Sequence, residues 1–206
     1  MTGRFITLEG GEGTGKSTQV KALAVELRSL GLDVLQTREP GGSEGAEVIR
    51  GLLLHEAHWN PEAEALLFAA ARADHVARTI KPALERGLWV VSDRFVDSSL
   101  AYQGRAGGLG LETIWKLHEI GSHGFLPDRT LLLELPAKES RRRADSRDLY
   151  QPDIIGRRDA AYHGAVEHGF HALAEADPAR FRIVDASGTA NEVTARLLAA
   201  LQDLLP

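Results

Sequence analysis

Short apolar runs alternate along the chain with longer stretches in which apolar residues recur every three or four positions. The runs Phe5 to Leu8, Asp33 to Thr37, Leu88 to Ser92, Thr130 to Leu135 and Phe181 to Val184 have the length and composition of strands. Between the first two, Val20, Leu23, Ala24, Leu27 and Leu30 keep helical spacing and stop at Gly31, a residue suited to ending a helix. The stretch from Glu62 to Arg86 predicts a long helix closed by Gly87, and helical patterns also follow Leu111, Lys138, Ala160 and Asn191. Strand and helix in alternation, joined by right-handed crossovers, predict an α/β fold: a five-stranded parallel sheet with helices on both faces. Two stretches interrupt the pattern, glycine-rich Gly104 to Gly110 and arginine-rich Ser140 to Arg158, and both are expected to be mobile surface segments of one domain.

Composition changes this picture little. The 206 residues suit one domain with an excursion, and 43% hydrophobic with 26% charged residues places the chain among globular proteins. Cysteine is absent, which removes disulfides, thiolate zinc sites and cysteine nucleophiles together. The 24 basic residues against 29 acidic ones give a net charge of −5, which argues against a broad nucleic-acid surface. The opening residues hold one basic side chain and no apolar stretch, so no export signal is expected. The longest apolar run, Ala65 to Ala71, is far short of the roughly 20 residues that span a bilayer, and a cytoplasmic protein with no membrane partner is the expectation.

The chemistry is concentrated in Gly10-Gly11-Glu12-Gly13-Thr14-Gly15-Lys16-Ser17, which satisfies the phosphate-loop pattern between a predicted strand and a predicted helix. Glycines let successive backbone N–H groups turn toward a polyphosphate, and the helix N-terminus adds its positive field. Lys16 is expected on the terminal phosphates, Ser17 on Mg²⁺, and Thr18 beside them. Asp93 closes an apolar strand where such an acid faces the ligand crevice, a second candidate for the magnesium site. Arg94 follows it, placing a guanidinium where a second phosphate would meet the first. Arg141, Arg142, Arg143, Arg147, Arg157 and Arg158 crowd one segment, as a lid closing over transferring phosphoryl groups requires. The Asn-Lys-x-Asp signature of guanine-specific switches is missing from Asp185 to Thr189. His168 and His171 stand three apart with no third ligand or supporting acid in view, and are expected to be solvated helix residues.

These residues resemble the bacterial thymidylate kinase (dTMP kinase) family over nearly the whole chain. The likeness rests on Phe5 to Gly10 with the phosphate loop, Thr37-Arg38-Glu39-Pro40-Gly41-Gly42, Leu66 to Arg72, Ile80 to Leu84, and Ser92 to Gly104. It implies ATP-dependent phosphorylation of dTMP with Mg²⁺, a P-loop kinase fold with a lid at about 140–158, and a homodimer. It further implies that Phe68 stacks on thymine, that Arg72, Ser99 and Gln103 lie against base or sugar, and that Tyr102 packs on the deoxyribose. Arg38, Arg50 and Arg94 would clamp the acceptor phosphate, Glu39 would belong to the same dTMP site, and Glu12 would reach the acceptor sugar. The phosphate loop carries no Lys or Arg at its variable positions, as in the branch of the family whose lid supplies a catalytic arginine. Arg147 is the best aligned for that role, and Arg143 for stacking on adenine. The chain departs from the family in the lid: Asp153-Ile154-Ile155-Gly156-Arg157-Arg158 has no arginine after the aspartate, which leaves open which arginine reaches the reacting phosphate.

Overall fold

A computed structural model describes residues 3–55, 59–136, 139–140, 142–143 and 158–206. Five strands form one sheet: β1 (Phe5–Glu9), β2 (Val34–Arg38), β3 (Trp89–Asp93), β4 (Arg129–Glu134) and β5 (Phe181–Asp185). They are all parallel, in the order β2-β3-β1-β4-β5, with Leu8 of β1 level with Asp93 of β3 and Leu131 of β4. Each strand falls within a residue of its expected position. The helices are α1 (Lys16–Ser29), α2 (Glu44–His55), α3 (Pro61–His75), α4 (Lys81–Glu85), α5 (Val96–Ser99), α6 (Leu111–Ser122), α7 (Ala160–Ala176) and α8 (Ala190–Ala199).

Alternation along β1 sorts the core into two layers. Ile6 and Leu8 point to one face and pack with Leu23 and Leu27 of α1, Val91 of β3, Leu131 and Leu133 of β4, and Val193 and Leu197 of α8. Phe5 points the other way and packs with Val76, Ile80, Val90, Phe95, Leu100 and Ile114. Its ring meets Phe95 edge-on at 4.9 Å and stacks on Phe125 at 5.5 Å. A third cluster, with Tyr102, Leu132, Val166 and Phe170, seats α7 on the sheet.

Three local readings need correcting. The sequence pattern did not pick out α2. The expected continuous helix from Glu62 to Arg86 is α3 and α4 joined by a π-helical turn, Val76–Ile80, whose wider coil inserts a residue into the ladder. Gly104 to Gly110 is not wholly irregular: a second π-helical turn, Leu100–Ala106, runs into it, with Gly104 pressed against Leu111 and Ile114. The helical pattern after Lys138 is seen at Glu139, Ser140, Arg142 and Arg143, and 144–157, including Arg147 and most of the expected lid, lie outside the described residues.

Candidate active site

The phosphate loop leaves β1 through Gly10, whose φ of 138° and approach to Leu133 admit no side chain: a Cβ there would lie 2.5 Å from the Leu133 carbonyl oxygen. The loop turns over the Lys16 ammonium, which donates to the carbonyls of Gly10 (3.0 Å) and Gly11 (2.7 Å) and to Thr14 Oγ1 (3.3 Å). Burial, then the neighbouring Arg94 guanidinium, lower its pKa to about 8. One residue on, Ser17 Oγ donates to Asp93 Oδ2 at 2.5 Å, joining the first turn of α1 to the end of β3.

Arg94 stands at the junction. Its backbone is left-handed, φ 70°, a conformation disfavoured for any residue with a Cβ. The turn is held from below by Glu9, wholly buried, which accepts from the N–H groups of Phe95 (2.7 Å) and Ser98 (3.3 Å) and from Ser98 Oγ (2.6 Å). The Arg94 guanidinium reaches the Gly10 carbonyl (3.3 Å), Ser98 Oγ (3.0 Å), Tyr102 Oη (3.3 Å) and Glu12 Oε1 (2.5 Å), and lies 5.0 Å over the Tyr102 ring. Burial opposes its charge, but Tyr102, Glu12 and Asp93 outweigh it and hold its pKa above that of an ordinary guanidinium. Burial pushes the Tyr102 phenol up.

A second polar group lies where α3 meets β2. Arg72, 3% exposed, donates to Glu39 Oε2 at 2.8 Å and to Ser99 Oγ at 2.8 Å, and rests 5.4 Å over the Phe95 ring. Glu39 also contacts His75 Nδ1 (3.1 Å), whose other nitrogen meets Thr37 Oγ1 (2.6 Å). Burial raises the Glu39 pKa, but Arg72 and His75 overcome that and hold it below the ordinary carboxylate value. Arg38 is half exposed and pairs with Glu47 at 3.0 Å, while Arg50 donates to the Pro40 carbonyl at 2.6 Å. Gln103, also buried, donates to Glu64 Oε1 at 2.8 Å.

Lys16, Ser17, Glu39, Arg72, Asp93, Arg94, Ser99, Tyr102 and Gln103 all face one cavity of about 580 Å³. Its walls take in Glu12 to Thr18, Asp93 and Arg94 on one side, and Arg38, Glu39, Arg50, Phe68, Arg72, Ser99, Tyr102 and Gln103 on the other. Ala186 and Gly188 from the turn after β5, with Ala190 and Val193 from the start of α8, close a third side, and Arg143 reaches the rim while paired to Glu139 at 2.6 Å. Gly10 and Gly11 stand behind the wall and act through their carbonyls. Arg147 is outside the described residues. Sequence reasoning missed Glu9, Ser98, Glu64 and His75; the last is spaced three residues after Arg72 on α3, the one local signal available. His168 and His171 are exposed, and among the described residues no group of three metal-ligating side chains occurs.

The thymidylate kinase family model matches residues 8–197. The chain belongs to the thymidylate kinase family. It is 62% identical over 208 residues to the thymidylate kinase of Rhizorhabdus wittichii, covering 100% of both chains. It is 46% identical over 199 residues to that of Syntrophotalea carbinolica, covering 94% of this chain and 92% of the relative. The crystal structure of thymidylate kinase from Ehrlichia chaffeensis superposes with a TM-score of 0.79 at 30% identity, covering 98% of this chain and 100% of that one. In this thymidylate kinase family member the two polar groups, one built on the phosphate loop and one on β2 and α3, therefore share a family fold as well as a cavity.

Proposed function

We propose that this cavity is where the chain carries out its family's reaction, transferring the γ-phosphoryl group of ATP to dTMP to give ADP and dTDP, the precursor of dTTP. The observation that carries the reading is the contact between the two halves: Arg94 touches both the phosphate loop, at Gly10 and Glu12, and the acceptor wall, at Tyr102. ATP lies with its phosphates over Gly10 to Thr18 and its base toward Gly188 and Arg143. The acceptor lies between Phe68 and Tyr102, its base beside Arg72, Ser99 and Gln103, and its phosphate meets Arg38, Arg50 and Arg94. Glu12 and Glu39 border its sugar and base.

Magnesium fits the residues present. Ser17 and Asp93 offer hard oxygen donors beside the loop, 2.5 Å apart, and a magnesium ion needs only one or two protein oxygens beside substrate phosphates. When bound, the ion offsets negative charge on the phosphates. The protein's own part is to hold two anions in line and exclude water, and the loose transition state needs no general base. Alignment supplies up to roughly 7–11 kcal/mol, and each charged hydrogen bond from Lys16, Arg94 or a lid arginine about 1.5–3 kcal/mol. The family also brings a homodimer and a cytoplasmic setting; support for the former is the exposed apolar set Val48 and Leu52 on α2, Leu66 on α3 and Ile120 on α6.

ADP release measured with a panel of nucleoside monophosphates and with thymidine tests the reading. A modest preference for dTMP over dUMP is expected, since one methyl contributes about 1–3 kcal/mol, with strong rejection of AMP, GMP and thymidine. Higher kcat/KM with purine monophosphates or with thymidine refutes it.

A further inference from the structure

We infer that Glu64 is a positioning residue that fixes which end of the Gln103 amide faces the base, and thereby selects pyrimidines that carry a hydrogen on the ring nitrogen. The inference rests on the reading above, in which Gln103 lies beside the base of the acceptor. A primary amide is a donor at one end and an acceptor at the other, so a glutamine alone does not distinguish a ring N–H from a ring lone pair. Here the ambiguity is removed. Gln103 is 3% exposed on the π-helical turn, and its Nε2 donates to Glu64 Oε1 at 2.8 Å. A carboxylate only accepts, so turning the amide over would set two oxygens against each other.

Glu64 is itself held. Arg158 donates to its other oxygen at 2.5 Å and to the Tyr162 hydroxyl, and lies 4.6 Å over the Tyr162 ring. Tyr162 in turn donates to the Tyr102 carbonyl at 3.0 Å, next to Gln103 in the chain. Both carboxylate oxygens are engaged, and α3, the π-helical turn and α7 converge on one amide. With its donor end committed to Glu64, Gln103 offers the cavity its carbonyl oxygen. Thymine and uracil meet that oxygen with N3–H; cytosine meets it with a lone pair.

The test compares wild type, Glu64→Gln, Gln103→Ala and the double variant, with steady-state kinetics on dTMP and dCMP and a thermal melt of each. In Glu64→Gln the new amide accepts or donates, so Gln103 is free to reverse. The dTMP-to-dCMP ratio of kcat/KM is expected to fall tenfold or more, chiefly through KM, and the same substitution made on Gln103→Ala should change the ratio no further. If Glu64→Gln does not fold, Glu64→Ala, which removes the acceptor that commits the donor end of Gln103, is expected to lower the ratio in the same sense, again only when Gln103 is present. An unchanged ratio, or an equal fall without Gln103, overturns the inference. Wild-type protein that fails to phosphorylate dTMP overturns the reading beneath it instead.

Discussion

Two buried groups around the phosphate loop pull the protein's response to pH in opposite directions. Lys16 has its pKa lowered from 10.5 to about 8 by burial and by Arg94. Between those values the unfolded chain holds a proton that the folded one has released, so this group's contribution to stability rises with pH across that window, and its burial penalty is present in full below it. Lys16→Met is therefore expected to melt higher than wild type at pH 7 by calorimetry, while turnover falls at least roughly 10- to 150-fold with the loss of one charged contact. Near-normal turnover would remove the phosphate loop from the mechanism. Glu9 is the reverse case: burial, then Asp97, raise its pKa from 4.5 to about 8. Its folded-state proton stabilises the protein fully below about 4.5 and is lost as pH rises through 8. Glu9→Gln should flatten that decline, seen as urea midpoints at pH 5 and pH 8 that lie closer together than in wild type; an unchanged gap would count against it.

The connection from β2 to α2 shows what an element contributes to the site. Gly42 has φ 86°, and a Cβ there would lie 2.4 Å from both His75 Nε2 and Thr37 Oγ1. Gly42→Ala is expected to break the chain from Thr37 through His75 to Glu39, lowering stability by about 1–3 kcal/mol. It should raise the KM for dTMP several-fold with little effect on that for ATP, and an effect confined to ATP would refute the link. None of this was legible locally, because His75 and Glu39 meet only once β2 and α3 are packed. The strands were legible for the opposite reason: β1, β3 and β4 are buried on both faces and read as continuous apolar runs. The phosphate loop was legible because its chemistry lies in eight consecutive residues. Helix α2 escaped because Gly45 and Gly51 weaken its propensity, although it buries Ala46 and Leu53 and exposes Val48 and Leu52. The π-helical turns carry no signature of their own. Gly104 reads as a loop residue yet is buried, where a Cβ would lie 3.2 Å from Ile114 and 3.3 Å from Leu111.

At the scale of the whole molecule, the sheet sets β1 and β3 side by side so that the phosphate loop and Arg94 emerge from adjacent strand ends, which is where a parallel sheet concentrates binding. The outer apolar residues of α2, α3 and α6 have a separate consequence. Ile120 is 78% exposed and Val48 67%. On the proposed dimer, Ile120→Glu is expected to shift sedimentation toward the monomer without changing the melt of the monomer fold, whereas a variant that sediments as wild type counts against a dimer formed through this face. The Arg94–Glu12 ion pair, at 2.5 Å, lies within the phosphate-loop wall, and Arg94 reaches from it to Tyr102 on the opposite one. Any anionic inhibitor that reaches Arg94 must contend with a carboxylate already seated there, and part of its attraction is offset by that exchange. A compound with a neutral group at the same point leaves the pair intact, so its potency should be nearly indifferent to ionic strength, whereas that of a phosphate mimic should weaken as salt is added.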